Sequence, residues 1–151
     1  MITEDYVSFE TAKLLKEKGF DGKCYKVWVY YTSSTPMLWA APAFVEGETI
    51  VDRESVESAE RMWNTIYGDS ENKNHEYLAP TLQMAMKWLR EEKDVQIEIA
   101  IVGTDTWESP TKWMYGFRCQ TKDVIDRRNA DFSSYEQACE AAIKYCLENL
   151  I

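Results

Sequence analysis

The chain is poor in the residues on which most enzyme chemistry rests. Its 151 residues include one histidine, His75. A single imidazole excludes any multi-histidine metal site and any relay that needs two. The four cysteines are Cys24, Cys119, Cys139 and Cys146, and none falls in a Cys-x-x-Cys pair. Neither a zinc site nor a thioredoxin-type centre is therefore indicated. On one helix, Cys139 and Cys146 would lie about 10 Å apart along the axis, too far for a disulfide. Reduced, buried thiols are the expectation. Glycine is sparse as well. Gly19 and Gly22 are the closest pair, and no Gly-x-Gly or Gly-Lys-Ser/Thr occurs, so no phosphate cradle is expected. There is no Gly-x-Ser-x-Gly, and a Cys–His pair would need Cys24 or Cys119 to meet His75 through folding alone. The acidic run Asp69–Glu76 invites a calcium reading, but Lys73 stands where an oxygen ligand is needed and Asn74 replaces the turn glycine. No metal and no cofactor are expected, and the balance leans away from an enzyme.

Long apolar runs are missing too. No stretch approaches the roughly 20 apolar residues that span a bilayer. Met1-Ile2-Thr3-Glu4-Asp5 has neither a basic patch nor an apolar run, so no signal peptide and a cytoplasmic location are expected. Basic charge is short overall: the net charge is −9. Residues 46–76 alone hold nine acidic residues against Arg53, Arg61 and Lys73. Such a chain is repelled by phosphate backbones and anionic membranes, which disfavours direct nucleic-acid binding and membrane association. The same acidic segment leaves one weaker alternative open, a decoy that imitates DNA phosphates.

What is present is a globular composition. Hydrophobic residues make up 45% and aromatics 13%, which suits a single domain over residues 1–151 with a substantial core. The clearest local signal is Tyr135–Leu150. Ser133 and Glu136 have capping-box spacing. Behind them Tyr135, Ala138, Cys139, Ala142, Ile143, Cys146, Leu147 and Leu150 recur at helical steps along one side. Ser8 caps a first helix over 9–18, ended by Gly19. Asp52 caps a helix containing Val56, Ala59, Trp63, Ile66 and Tyr67, and Pro80 opens a helix with Leu82, Ala85, Met86 and Leu89 on one stripe. Strands are expected at 25–31 and at 38–45, the latter an edge because of Pro42. Val95, Ile97, Ile99 and Ile101 alternate with polar or small residues, and 112–120 resumes that period, as in an antiparallel hairpin. Residues 123–131 read as a charged loop. The fold class is α+β: a small, mainly antiparallel sheet of about four strands with helices packed on one face.

Three patches resemble a known group. They are Ser8-Phe9-Glu10-Thr11-Ala12-Lys13-Leu14-Leu15 with Gly19-Phe20, Ala79-Pro80-Thr81 with Lys87-Trp88-Leu89-Arg90-Glu91, and Tyr135-Glu136-Gln137-Ala138-Cys139-Glu140-Ala141-Ala142-Ile143. In this order they are similar to small hypothetical proteins of phages, prophages and mobile elements of gut anaerobic bacteria. The resemblance transfers no functional residue. It implies a context, that of a cytoplasmic accessory protein of a mobile element.

Two groups of side chains are candidates for contact with something else. Trp107 lies in a polar loop and Trp113 starts the next strand; with Arg127 and Arg128 they would form a stacking and anion-pairing surface. Met84 and Trp88 widen the apolar arc of the central helix and suit an interface. The expected function is a non-catalytic interaction or accessory module with an unidentified protein partner or self-association. The alternative is a small-ligand binder or small enzyme using the Trp107 loop.

Overall fold

The computed structural model describes residues 3–31, 47–67, 76–102, 112–119 and 125–151. In chain order the elements are α1 (Phe9–Glu17), β1 (Lys26–Tyr31), β2 (Gly47–Asp52), α2 (Arg53–Tyr67), β3 (Glu76–Leu78), α3 (Leu82–Glu92), β4 (Val95–Val102), β5 (Lys112–Cys119), β6 (Ile125–Phe132) and α4 (Tyr135–Asn149). The class is α+β and the described pairings are antiparallel. The strands divide into two sheets of three, ordered β2-β1-β3 and β4-β5-β6.

Two elements account for the larger strand count. β3 spans three residues, too few to show a period. β6 covers Ile125-Asp126-Arg127-Arg128-Asn129-Ala130-Asp131-Phe132, so the charged loop expected over 123–131 is corrected to a strand. Its residues have weak strand preference, and pairing with β5 overrides it. The strand expected at 38–45 lies outside the described residues; β1 pairs instead with Gly47–Asp52.

β1 is the spine of the first sheet. Val27 stands opposite Val51 and Leu78, and Trp28 opposite Ile50 and Tyr77. Alternation therefore sends Val27 and Val29 to one face and Trp28 to the other. Val27 and Val29 meet Val56 of α2, all three nearly sealed from solvent, with Val51 and Leu78 beside them. On the opposite face Phe9 of α1 meets Tyr77 edge-on at 5.4 Å and Trp28 at 6.1 Å. The Trp28 indole also donates to the Val7 carbonyl at 2.8 Å.

The larger core joins α1, α3, α4, β4 and β5. Ala138, Cys139, Ala142, Ile143, Cys146 and Leu147 are fully buried, as the helical stripe requires. Tyr135 is half-buried, and Leu150 is exposed where the helix ends. Tyr145 lies flat on Phe117, ring centroids 5.4 Å apart, which seats α4 on the second sheet. α1 packs against both α4 and β3, so the two sheets share this core.

Caps fix the helix starts. Ser8, Thr81 and Ser134 accept from the backbone N–H of Thr11, Met84 and Gln137. The α4 cap is thus Ser134, one residue after the expected Ser133, whose hydroxyl instead donates to Gln137 Oε1 at 2.6 Å. Pro80 precedes the α3 cap and uses its carbonyl to accept from Val7 N at 3.1 Å. Gly19, at φ +84°, closes α1 in a conformation that few residues other than glycine adopt.

One cap has an unusual supplier. In a capping box, the third helical residue returns a carboxylate to the cap's own N–H. Here that residue is Thr11, and the carboxylate comes from Glu140 of α4. Glu140 Oε1 accepts from Ser8 N at 3.1 Å, from Ser8 Oγ at 2.5 Å and from Thr11 Oγ1 at 2.5 Å. Thr11 is fully buried, and its hydroxyl has two neighbours, this carboxylate and Ser8 Oγ at 3.2 Å.

A second link joins the same helices. Lys144 Nζ lies 2.6 Å from Glu10 Oε2. That hydrogen bond and the lysine's charge hold Glu10 below the ordinary carboxylate value of 4.5, and Glu10 raises Lys144 in return. A carboxylate depressed in the folded state adds stability above its unfolded pKa and loses it as pH falls through the folded one. Both groups are solvent-exposed, so the clearest signature is the titration itself. In Lys144→Ala, Glu10 is expected to titrate at higher pH than in the wild type, read from its carboxyl carbon by NMR. An unmoved midpoint would mean that the pair does not persist in solution.

Candidate functional site

The two expected contact groups lie on different parts of the fold. Trp107 lies outside the described residues. Trp113 opens β5, is half-buried, and meets Tyr135 edge-on at 5.4 Å. The Tyr135 hydroxyl in turn accepts from Gln83 Nε2 at 3.0 Å, so Trp113 helps to lock the start of α4 over the sheet. Arg127 and Arg128 lie on β6, in register with Gly116 and Tyr115. Trp113 and the arginines therefore occupy neighbouring strands, separated by a register shift between Trp113 and Tyr115.

Met84 and Trp88 face the protein's own core. Trp88 is 9% exposed; Phe20 meets it edge-on at 5.4 Å, and Lys93 Nζ lies 5.1 Å from its ring. Met84 is half-buried, and Cys24 Sγ approaches its sulfur at 3.9 Å. Burial pushes the Cys24 thiol up to about 11, against a smaller opposing pull from Arg53. Cys139 is raised by the same cause. Both thiols are thus protonated and poorly nucleophilic at neutral pH. Among the described residues, Cys24, Cys139 and Cys146 are not in disulfides, and no three metal-ligating side chains gather. No helix among these residues is long and apolar enough to cross a membrane.

A cleft of about 180 Å³ lies between α1 and β3, lined by Ala12, Lys16, Phe20, Glu76 and Leu78. Lys16 leans across it, its Nζ 3.1 Å from the Glu76 carbonyl and 4.9 Å from the Tyr77 ring centre. Ligand pockets commonly enclose about 300–1,000 Å³, so this cleft suits nothing larger than a small metabolite. In the acidic middle segment, Asp52 pairs with Lys26 at 2.6 Å and Glu57 with Arg53 at 3.1 Å. Part of that acidity is thereby neutralised locally.

A strand edge carries one of the exposed aliphatic side chains. β4 ends its sheet, bonded to β5 through register pairs from Val95↔Cys119 to Val102↔Lys112. Among the described residues no strand lies on its other side. Along its inward row Val95 and Ile97 are buried and Ile99 is partly so, whereas Ile101 is 59% exposed. The outward row holds Gln96, Glu98 and Ala100, with Glu98 ion-paired to Arg118 of β5 at 3.1 Å. Sequence reasoning assigned Ile101 to the buried row because alternation shows the side a residue takes. It does not show how far along the strand the covering core reaches. A usable signal was present nonetheless: the strand contains no lysine or proline, and its one charge is Glu98.

No family model, curated protein or solved structure matches the chain.

Proposed function

We propose that the chain is a non-catalytic interaction module whose contact surface is the open edge of β4. The observation that carries this reading is an eight-residue edge strand of largely aliphatic sequence, with Ile101 exposed and Glu98, paired to Arg118, as its one charge. Edges of this kind recognise an extended partner by main-chain hydrogen bonds, with alternate side chains giving selectivity. The buried, protonated thiols and the small cleft offer little competing chemistry. The likeness of three sequence patches to phage and mobile-element proteins supports a cytoplasmic accessory role.

The test is a comparison of wild-type protein with Ile101→Lys. Ile101 is exposed, so this change should leave the fold intact while placing a charge on the inner row at the edge. Wild type is expected to hold a partner strand, whether its own or another protein's, and the variant to lose it. Equal retention by both proteins would refute the reading.

A further inference from the structure

The cleft between α1 and β3 has walls that are held in place. Gly19 turns the chain back at the end of α1, and Phe20 N donates to the Leu15 carbonyl at 2.9 Å. The Phe20 ring, nearly covered, then lies edge-on to Trp88. Gly22 lets it stay there, because a Cβ on Gly22 would stand 2.6 Å from Phe20 Cζ. Leu78 is fixed by its register with Val27 of β1. Ala12, nearly sealed from solvent, supplies a methyl where a longer side chain would occupy the space. Lys16 follows Ala12 by one turn on the same side of α1.

The polar side chains among the lining residues are Lys16 and Glu76. Lys16 is exposed; its Nζ donates to the Glu76 carbonyl and lies over the Tyr77 ring. An ammonium has three N–H groups, so Lys16 keeps donor capacity toward an oxygen placed in the cleft. Three apolar side chains and one ammonium thus converge on a space of about 180 Å³. At about 30 Å³ for each water-sized unit, the space admits roughly six non-hydrogen atoms. We infer that this cleft binds a small aliphatic carboxylate, its carboxyl group on Lys16 and its hydrocarbon end against Ala12, Phe20 and Leu78. The class follows from charge. A cationic ligand would meet the Lys16 ammonium, and a neutral hydrocarbon would leave its donors unused. The site shares no residue with the β4 edge, so the two readings stand or fall separately.

Titration with 3-methylbutanoate, followed by NMR at the Ala12 methyl and the Phe20 ring, tests the inference. Both signals should move and saturate, with a Kd of about 1 mM for a ligand this small. Lys16→Met keeps the length of an exposed side chain and loses its charge. It should weaken binding by about tenfold or more and leave the circular-dichroism spectrum unchanged. 3-Methylbutylamine has the same branched skeleton and the opposite charge, and it should not bind. This comparison uses the wild type alone, so it decides the charge preference whatever the variant does to folding. Valine, the α-amino form of the same acid, identifies the source of the carboxylate: a tighter constant than that of 3-methylbutanoate assigns the site to amino acids, a weaker one to simple acids. The absence of a saturable shift with either acid at about 20 mM overturns the inference. Equal binding by a folded Lys16→Met, or a preference for the amine, overturns it as well.

Discussion

Cys146→Asp is expected to lower stability by roughly 4–5 kcal/mol, the upper range for a charge placed in a core without a partner. For a chain of this length, that corresponds to a fall in melting temperature of roughly 10–20 °C. Cys146 has no exposed surface, and neither do Ala142, Ile143 and Leu147 on the same face of α4. The carboxylate would have to ionise among aliphatic side chains or remain protonated there; either route destabilises the fold. Cys146→Ala is the control. It removes one sulfur from a small site and should cost about 1 kcal/mol. Denaturant titration of the three proteins measures the difference. An aspartate variant within about 1 kcal/mol of wild type would show that α4 does not bury this face.

Glu140→Ala should be the next most damaging change, at about 3 kcal/mol. Hydrogen bonds to a charged acceptor contribute about 1.5–3 kcal/mol each but are not additive, and a buried donor left unsatisfied costs about 1–3 kcal/mol. Removing the carboxylate takes the acceptor from Ser8 N, Ser8 Oγ and Thr11 Oγ1 together. Thr11 has no exposure through which water could replace it, and its hydroxyl is left with Ser8 Oγ alone, at 3.2 Å. Glu140→Gln keeps an oxygen in place and gives up the charge at the helix start, so its cost should be nearer 1 kcal/mol. Amide exchange localises the effect: residues 9–12 of α1 should exchange faster in the alanine variant, while α3 keeps its protection. Unchanged protection at α1 would mean that Glu140 does not serve as its cap.

The helices were legible because each announces itself in several ways at once. α4 combines a serine cap with six buried positions at helical spacing, and α1 combines Ser8 with Gly19. The β4–β5 pair was legible because apolar side chains recur at every second position, from Val95 to Ile101 and from Trp113 to Cys119. β3 and β6 were hidden for opposite reasons. The first is too short to alternate, and the second is held by its neighbour against its own composition. The candidate site was hidden for a third reason. Trp88 and Trp113 stood out by residue type, yet both engage the molecule itself, through Phe20 and Tyr135. Ile101 looked like every other isoleucine of its row. What separates it is its place near the far end of β4, past the buried Val95 and Ile97 and the partly buried Ile99.

The Glu140 contact also bears on the order in which the molecule is made. Ser8 and Glu140 are separated by 132 positions. A ribosome that has released the first helix must add more than a hundred further residues before its missing acceptor emerges. Nascent α1 is thus born with its amino end unfinished, and short helices without tertiary support are marginal in water. Closure of the α1 cap awaits the arrival of α4, so an element made much later acts as the latch of an earlier one.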